Sequence, residues 1–332
     1  MPDVKIESTI MMVTTIGWPE FVVPGSTEPL RATPDALVAA SGARFPIVNG
    51  IPSFVEERTY AEHFGWQWNR FPKTQLDSYT KLSITEDRMR VALGDPLFSS
   101  LKGLQVLECG CGAGRFTEIL LKQGALLTSV DLSSAVDANA ANFPIGPSHR
   151  IAKADIMSLP FQPRQFDVVV CLGVIQHTPN PEATIAALYS HVKPGGYLII
   201  DHYTHDKGRW SSIKPFIRMY LKRVNPADTL RIVEGFVDTW LPWHRRFKGF
   251  YPAWFLLCRI SPIVTYYHLH PEFTETQQRE WALLDTHDSL TDFYKHLRTR
   301  EEIHQTFVDL GMDEVHTAYG GNGVEGRGRR PC

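Results

Sequence analysis

The residues best suited to chemistry lie in one short run, Glu108-Cys109-Gly110-Cys111-Gly112-Ala113-Gly114-Arg115. It follows an apolar segment ending at Glu108 and opens a helical pattern, Arg115 to Lys122. Glycines in such a turn allow a tight bend and let backbone approach a ligand closely. The helix start adds free N–H groups and the positive end of its dipole. A dinucleotide fingerprint needs glycine where Arg115 stands. Here the third glycine comes one residue earlier and an acid precedes the first. A carboxylate at Glu108 repels phosphate but accepts a hydrogen bond from an ammonium group, directly or through water. Two further acids recur downstream. Asp131 ends the next apolar segment, where an acid accepts both ribose hydroxyls; Ser133-Ser134 behind it also allow a helix N-cap. Asp155-Ile156 follows the third segment. There the acid can accept an adenine amine and Ile156 can cover the ring, with a surface turn as the alternative.

A ligand with an amino-acid end, a sulfonium and no phosphate is S-adenosylmethionine, and it is the expected cofactor. The elements that would hold it follow from pattern. Gln105 to Glu108, Leu126 to Asp131, Arg150 to Ala154, Phe166 to Leu172 and Tyr197 to Asp201 read as strands, with Pro194-Gly195-Gly196 as a turn. Helical patterns Arg115 to Lys122, Ala135 to Asn142 and Pro181 to His191 alternate with them. This rhythm predicts an α/β fold, a Rossmann-like, doubly wound and mostly parallel sheet. Arg300 to Leu310 and Met312 to Ala318 read as a late helix and strand that complete the sheet, and Gly326 to Arg330 as a short tail that frays. The expected organisation is a small β-rich leader over 1–58 and a helical lid or linker over 59–100. The cofactor-binding core follows over 101–203. A mainly helical insertion capping the acceptor covers 204–298, and 299–332 completes the sheet.

Taken in order, the motifs carry more. Glu-x-Gly-x-Gly-x-Gly is followed by Val-Asp-Leu-Ser, Ala-Asp-Ile-x-x-Leu-Pro-Phe and Phe-Asp-Val-Val. Gly-Val-Ile-Gln-His-Thr-Pro-Asn-Pro and Lys-Pro-Gly-Gly-Tyr-Leu come after them. The series resembles the class I S-adenosylmethionine-dependent methyltransferases of the type 11-like family, nearest the ubiquinone/menaquinone-type branch. The resemblance implies methyl transfer (EC 2.1.1.-) to a small-molecule, glycan or natural-product acceptor, with oxygen favoured over nitrogen or carbon. It also implies that the fourth-strand exit, Cys171 to His177, lines the cofactor, with Gln176 and His177 near the methyl or its acceptor. The expected cofactor set is Glu108, Gly110, Cys111, Gly112, Gly114, Asp131, Leu132, Asp155, Ile156, Cys171 and Gln176. The segment Ala43 to Phe54 resembles the last strand of a zinc-ribbon-like leader, but no cysteine precedes Cys109, so no metal is expected there.

Phe64, Trp66, Trp68 and Phe71 form a dense aromatic run, readable as core or as a lid whose ring faces attract the sulfonium. A hydroxyl acceptor needs a base, and His177, His202, Asp285 and His287 are the candidates, histidine being favoured by its near-neutral pKa. The alternatives are a cofactor-binding protein without methyl transfer, another transferase using the same cofactor and, more remotely, an NAD-dependent oxidoreductase. The 332 residues carry a net charge of −2, which implies no nucleic-acid partner. Five cysteines without metal or disulfide spacing suit reduced thiols in the cytoplasm. The apolar stretch Phe250 to Leu269 is broken by Pro252, Arg259 and Pro262, so no membrane span is expected.

Overall fold

Turn residues and short apolar runs bend the leader into a small antiparallel sheet. The computed structural model, which describes residues 17–55, 60–205 and 213–332, orders it as β1 (Leu30–Ala32), β2 (Ala36–Ala39), β3 (Arg44–Val48) and β4 (Ile51–Pro52), each paired with the next. The remainder of the leader, residues 1–16 and 56–58, lies outside the described residues, as do 206–212 of the insertion. Arg150 ties the leader to the core. Its guanidinium lies over Trp18, Phe21 and Phe161, and it donates to the Pro19 carbonyl at 2.7 Å.

Four helices follow: α1 (Glu62–Arg70), α2 (Asp77–Thr80), α3 (Ile84–Leu93) and α4 (Asp95–Ser99). The core then alternates β5 (Gln105–Cys109), α5 (Arg115–Lys122), β6 (Leu126–Asp131), α6 (Ala135–Asn142), β7 (His149–Lys153), β8 (Phe166–Cys171), α7 (Pro181–Ser190) and β9 (Val192–Tyr203). After the insertion come α12 (Arg300–Asp309), β10 (Asp313–Gly320) and β11 (Gly323–Arg329). The seven-stranded sheet has the order β10-β11-β9-β8-β5-β6-β7. Strands β5 to β9 run parallel, and β11 runs antiparallel to both β9 and β10.

Strands apolar on both faces are what a sheet covered on both sides requires. Val168 and Val170 of β8 join Val106, Leu127 and Ile199 against Met89, Phe98, Phe116 and Leu120. Val169 and Cys171 point the other way, with Leu107, Val130 and Ile200 against Ile185, Leu188, Ile303 and Phe307.

The structure corrects two readings of the sequence. The tail does not fray; Gly326 to Arg329 belong to β11, a strand paired on both sides. Its glycines make room for α12 and Met312. A Cβ at Gly328 would stand 2.8 Å from Met312 Cε and 2.9 Å from Phe307 Cδ2. Nor does Pro194-Gly195-Gly196 stand outside the fifth strand as a turn, because β9 runs through it from Val192.

The chain divides into two units. The first holds residues 1–69, 83–205 and 296–332, and the second holds 70–82 and 206–295. The segment 59–100 is therefore split between them. The second unit contains α8 (Lys214–Leu221), α9 (Pro226–Phe247), α10 (Tyr251–Ile260) and α11 (Glu275–Thr291). Leu221, Val233, Val237, Ile263, Ala282, Leu283 and Leu290 form its core. Helix α11 starts at a capping box in which Thr274 and Gln277 satisfy each other's backbone amides. Among the described residues no helix is long and apolar enough to cross a membrane.

Candidate active site

The glycine loop joins β5 to α5 at the carboxyl edge of the sheet. Gly110, Gly112 and Gly114 hold φ values of 75°, 51° and 102°, in the left-handed region where side chains are strained. Their surroundings are closed as well. A Cβ on Gly110 would collide with Val174, and one on Gly112 would lie 3.2 Å from the Trp68 indole nitrogen. The loop amides are already spent inside the protein. Gly110 and Cys111 donate to the Val130 carbonyl at 2.8 and 3.0 Å, and Gly114 donates to the Cys111 carbonyl at 3.0 Å. Gly112 donates to Asp131 Oδ2 at 3.0 Å. Asp131 Oδ1 accepts from both the amide and the hydroxyl of Ser133.

Glu108 lies beneath this loop, buried. Its Oε2 contacts the Thr117 hydroxyl at 2.6 Å and the Ser129 hydroxyl at 2.7 Å. Oε1 is buried and has no hydrogen-bond partner. Burial pushes the carboxyl up to about 7, against the lowering effect of the Thr117 and Ser129 contacts, while Asp131 adds a smaller push upward. Cys109, Cys111 and Cys171 are buried free thiols, and burial raises each well above the usual thiol range. Leu132 is half-buried. Asp155 Oδ1 accepts the Met157 amide at 2.8 Å and caps a short helical turn, while Ile156 packs on the core.

Past β8 the chain makes another short turn, Ile175–His177. Gln176 is wholly buried there, and neither its amide oxygen nor its amide nitrogen has a partner. The His177 ring lies edge-on to Phe64 and to Tyr203, each at 5.3 Å between centroids. His202 is buried at the end of β9. Its Nδ1 lies 2.8 Å from the Tyr203 carbonyl, which can only accept, so Nδ1 carries the hydrogen and Nε2 is a lone pair without a partner. Burial lowers its pKa.

The aromatic run of α1 divides. Phe64 meets His177, Trp68 covers Gly112, Trp66 faces solvent, and Phe71 packs in the second unit. Gly65 lets α1 close on Ser134, where Asn69 also donates to the Ser134 carbonyl at 2.9 Å.

Asp285 and His287 belong to the second unit, as do Tyr266, Gln75 and Thr229. Asp285 accepts from the Tyr266 hydroxyl and, at 3.4 Å, from Gln75, while His287 Nε2 lies 3.3 Å from the Thr229 hydroxyl. The four base candidates thus fall into two pairs, one on each unit.

Residues 107–200 match the family model described as a methyltransferase domain. Within the α/β core it is this stretch, β5 to β9, that matches a methyltransferase domain. Over 103 residues this domain is 37% identical to the ubiquinone biosynthesis O-methyltransferase of Pseudomonas putida (strain GB-1), covering 30% of this chain and 44% of that protein. Over 101 residues it is 36% identical to the enzyme of the same name from Coxiella burnetii (strain Dugway 5J108-111), covering 30% and 43%. The chain therefore spans less than half the length of the curated relatives it matches. Among solved structures, magnesium protoporphyrin IX methyltransferase from Synechocystis PCC 6803 matches at 15% identity and a TM-score of 0.43, over 82% of this chain and 96% of that one. Human N-acetylserotonin methyltransferase matches at 12% identity and a TM-score of 0.45, over 83% and 57%.

Sequence reading missed the supports of the methyltransferase domain. Ser129, the cross-strand neighbour of Glu108, and His149 behind it lie in strands beside other polar residues, Thr128 and Arg150, from which sequence alone does not set them apart. Arg88 was missed too. It pairs with buried Asp201, whose other oxygen accepts the Gly173 amide at 2.5 Å and so fixes the exit of β8.

Proposed function

We propose that this chain is an S-adenosylmethionine-dependent methyltransferase that moves a methyl group to a small organic acceptor, at oxygen in the first instance. The observation that supports this most is the loop itself. Four of its amides already donate within the protein, and a buried acid with an unpartnered oxygen lies at the first turn of α5. A pyrophosphate needs those amides free and that acid absent. An ammonium group needs the acid. The residues therefore fit S-adenosylmethionine and not a dinucleotide, and the O-methyltransferase names of the curated relatives favour oxygen as the acceptor atom.

When bound, the cofactor supplies a methyl group on a sulfonium already activated toward displacement. The protein's part is holding, aligning and excluding water. Glu108 Oε1 would accept from the ammonium, Asp131 from the ribose hydroxyls, and Asp155 from the adenine amine beside Ile156. Phe64 and Trp68 offer ring faces to a cation. His202 is the favoured base, because its neutral ring leaves Nε2 free to take a hydroxyl proton from the acceptor. In this reading His177 and Gln176 orient the acceptor.

The test incubates the full chain with methyl-tritiated cofactor and pooled small-molecule extracts. The expected result is label transferred to an organic product whose mass rises by one methylene, with transfer lost in Asp131→Ala. Tight cofactor binding with no transfer in any pool would leave a binding protein in place of an enzyme.

A further inference from the structure

Beneath the loop five polar side chains form one buried row: Asn139, Thr117, Glu108, Ser129 and His149, none more than 3% exposed. Asn139 Nδ2 donates to Thr117 Oγ1 at 2.9 Å, and Thr117 Oγ1 lies 2.6 Å from Glu108 Oε2. Ser129 Oγ lies 2.7 Å from the same Oε2 and 3.1 Å from His149 Nε2, while His149 Nδ1 lies 3.0 Å from the Phe143 carbonyl.

The hydrogens along this row can be assigned by elimination. A carbonyl oxygen only accepts, so His149 Nδ1 carries a hydrogen. Burial pushes His149 down to about 4, which leaves the ring neutral near neutrality and makes Nε2 an acceptor. Ser129 must then donate to Nε2, and a hydroxyl has one hydrogen to give. The remaining Ser129–Glu108 contact needs its hydrogen from Glu108. The other end agrees, since Thr117 accepts from Asn139 and so donates to Oε2, which accepts one bond and donates another.

We propose that Glu108 is a neutral carboxylic acid in the free protein, kept so by Ser129 and His149 as positioning residues, and that an ammonium group arriving at Oε1 expels its proton. The second half rests on the reading of this site as an S-adenosylmethionine site. The step balances simply. The Glu108 O–H bond breaks, its electron pair stays on the carboxylate, the proton passes to bulk water, and the ammonium keeps its charge beside the new anion. The other groups facing Glu108 are the Asp131 carboxylate, which favours the neutral acid, the thiols of Cys109 and Cys111, which are themselves neutral, and the Thr117 backbone amide, which favours the anion. Burial outweighs that amide and the Thr117 hydroxyl, and the Ser129 hydroxyl favours the anion only when its hydrogen points at Oε2 instead of at His149.

The test has two readouts on the full chain. Infrared spectroscopy at about pH 6, within the window set by the raised acid, is expected to show the C=O band of a protonated carboxyl that Glu108→Gln removes and S-adenosylhomocysteine abolishes. Calorimetry of S-adenosylhomocysteine in buffers of different ionisation enthalpy is expected to show close to one proton released there. Release should fade above about pH 8, with affinity rising by up to about tenfold per pH unit in between. His149→Phe frees the Ser129 hydrogen for Glu108, so proton release should shrink and affinity at the lower pH should rise, an effect that lost packing would not give. Absence of the carboxyl band from the free protein overturns the proposal. Binding without proton release overturns the coupling. Failure of S-adenosylhomocysteine to bind while the band persists supports the neutral acid and overturns the cofactor reading instead.

Discussion

Asp131 has two tasks, and they have separate signatures. Its Oδ2 anchors the Gly112 amide and its Oδ1 holds Ser133, so it shapes the loop before any ribose arrives. Asp131→Ala is expected to weaken S-adenosylhomocysteine binding by about 1.5–3 kcal/mol, the range for lost charge-assisted hydrogen bonds. An unchanged dissociation constant in a folded variant would remove the ribose role. Glu108 leaves its mark on stability. Its carboxyl is raised from the ordinary 4.5 to about 7, so what the neutral acid contributes is full below 4.5 and is lost as pH rises through about 7. His149, lowered from 6.5 to about 4, works in the opposite sense, stabilising above 6.5 and losing that contribution as pH falls. Denaturant titrations of Glu108→Gln beside the parent protein cancel the histidine. The difference in stability should shift toward the variant as pH rises from about 4.5 to about 7, by at most about 3 kcal/mol. A difference flat with pH would mean that the carboxyl titrates normally.

The strands and helices from β5 to β9 were legible because β5, β6, β8 and β9 hold short apolar runs, and β7, polar at both ends, is placed by its alternation with helices that follow turn signals. The last strand was not legible for a physical reason. Gly326-Arg327-Gly328-Arg329 has no apolar side chain to give a pattern, and its place in the sheet comes from the absence of side chains, which lets Phe307 and Met312 pack on the backbone. Deleting residues from Gly323 onward should therefore abolish cooperative unfolding, since β11 is paired along its length to β9 and bridges β10 to the sheet. A truncated chain that melts like the parent would show the strand to be dispensable. Glycine, acid and spacing were enough to single out Glu108 and Asp131 as candidates, and both side chains lie at the loop. Ser129, His149 and Arg88 needed the register of the sheet, which brings Ser129 beside Glu108 and no sequence rule anticipates. Gly328→Val, whose Cβ would stand within 3 Å of Phe307 and Met312, should cost roughly 1–3 kcal/mol by overpacking, and an unaffected melting curve would argue against this packing.

Across the whole chain, the methyltransferase domain accounts for residues 107–200, while the second unit lies outside that match. The two pairs of base candidates separate by function in this account. His202→Gln should lower turnover by about 10²- to 10⁴-fold, the usual worth of a positioned base, with cofactor affinity unchanged. His287→Ala, which removes a buried ring beside Thr229, should lower the melting temperature. Turnover lost in the second variant and kept in the first would reverse the assignment. The central claim is that the loop holds an adenosyl amino acid and not a pyrophosphate. It is tested most directly by calorimetric titration of the full chain with S-adenosylhomocysteine and, separately, with NAD. The account predicts saturable binding of the first, weakened in Asp131→Ala, and none of the second; tight binding of NAD without binding of S-adenosylhomocysteine would contradict it.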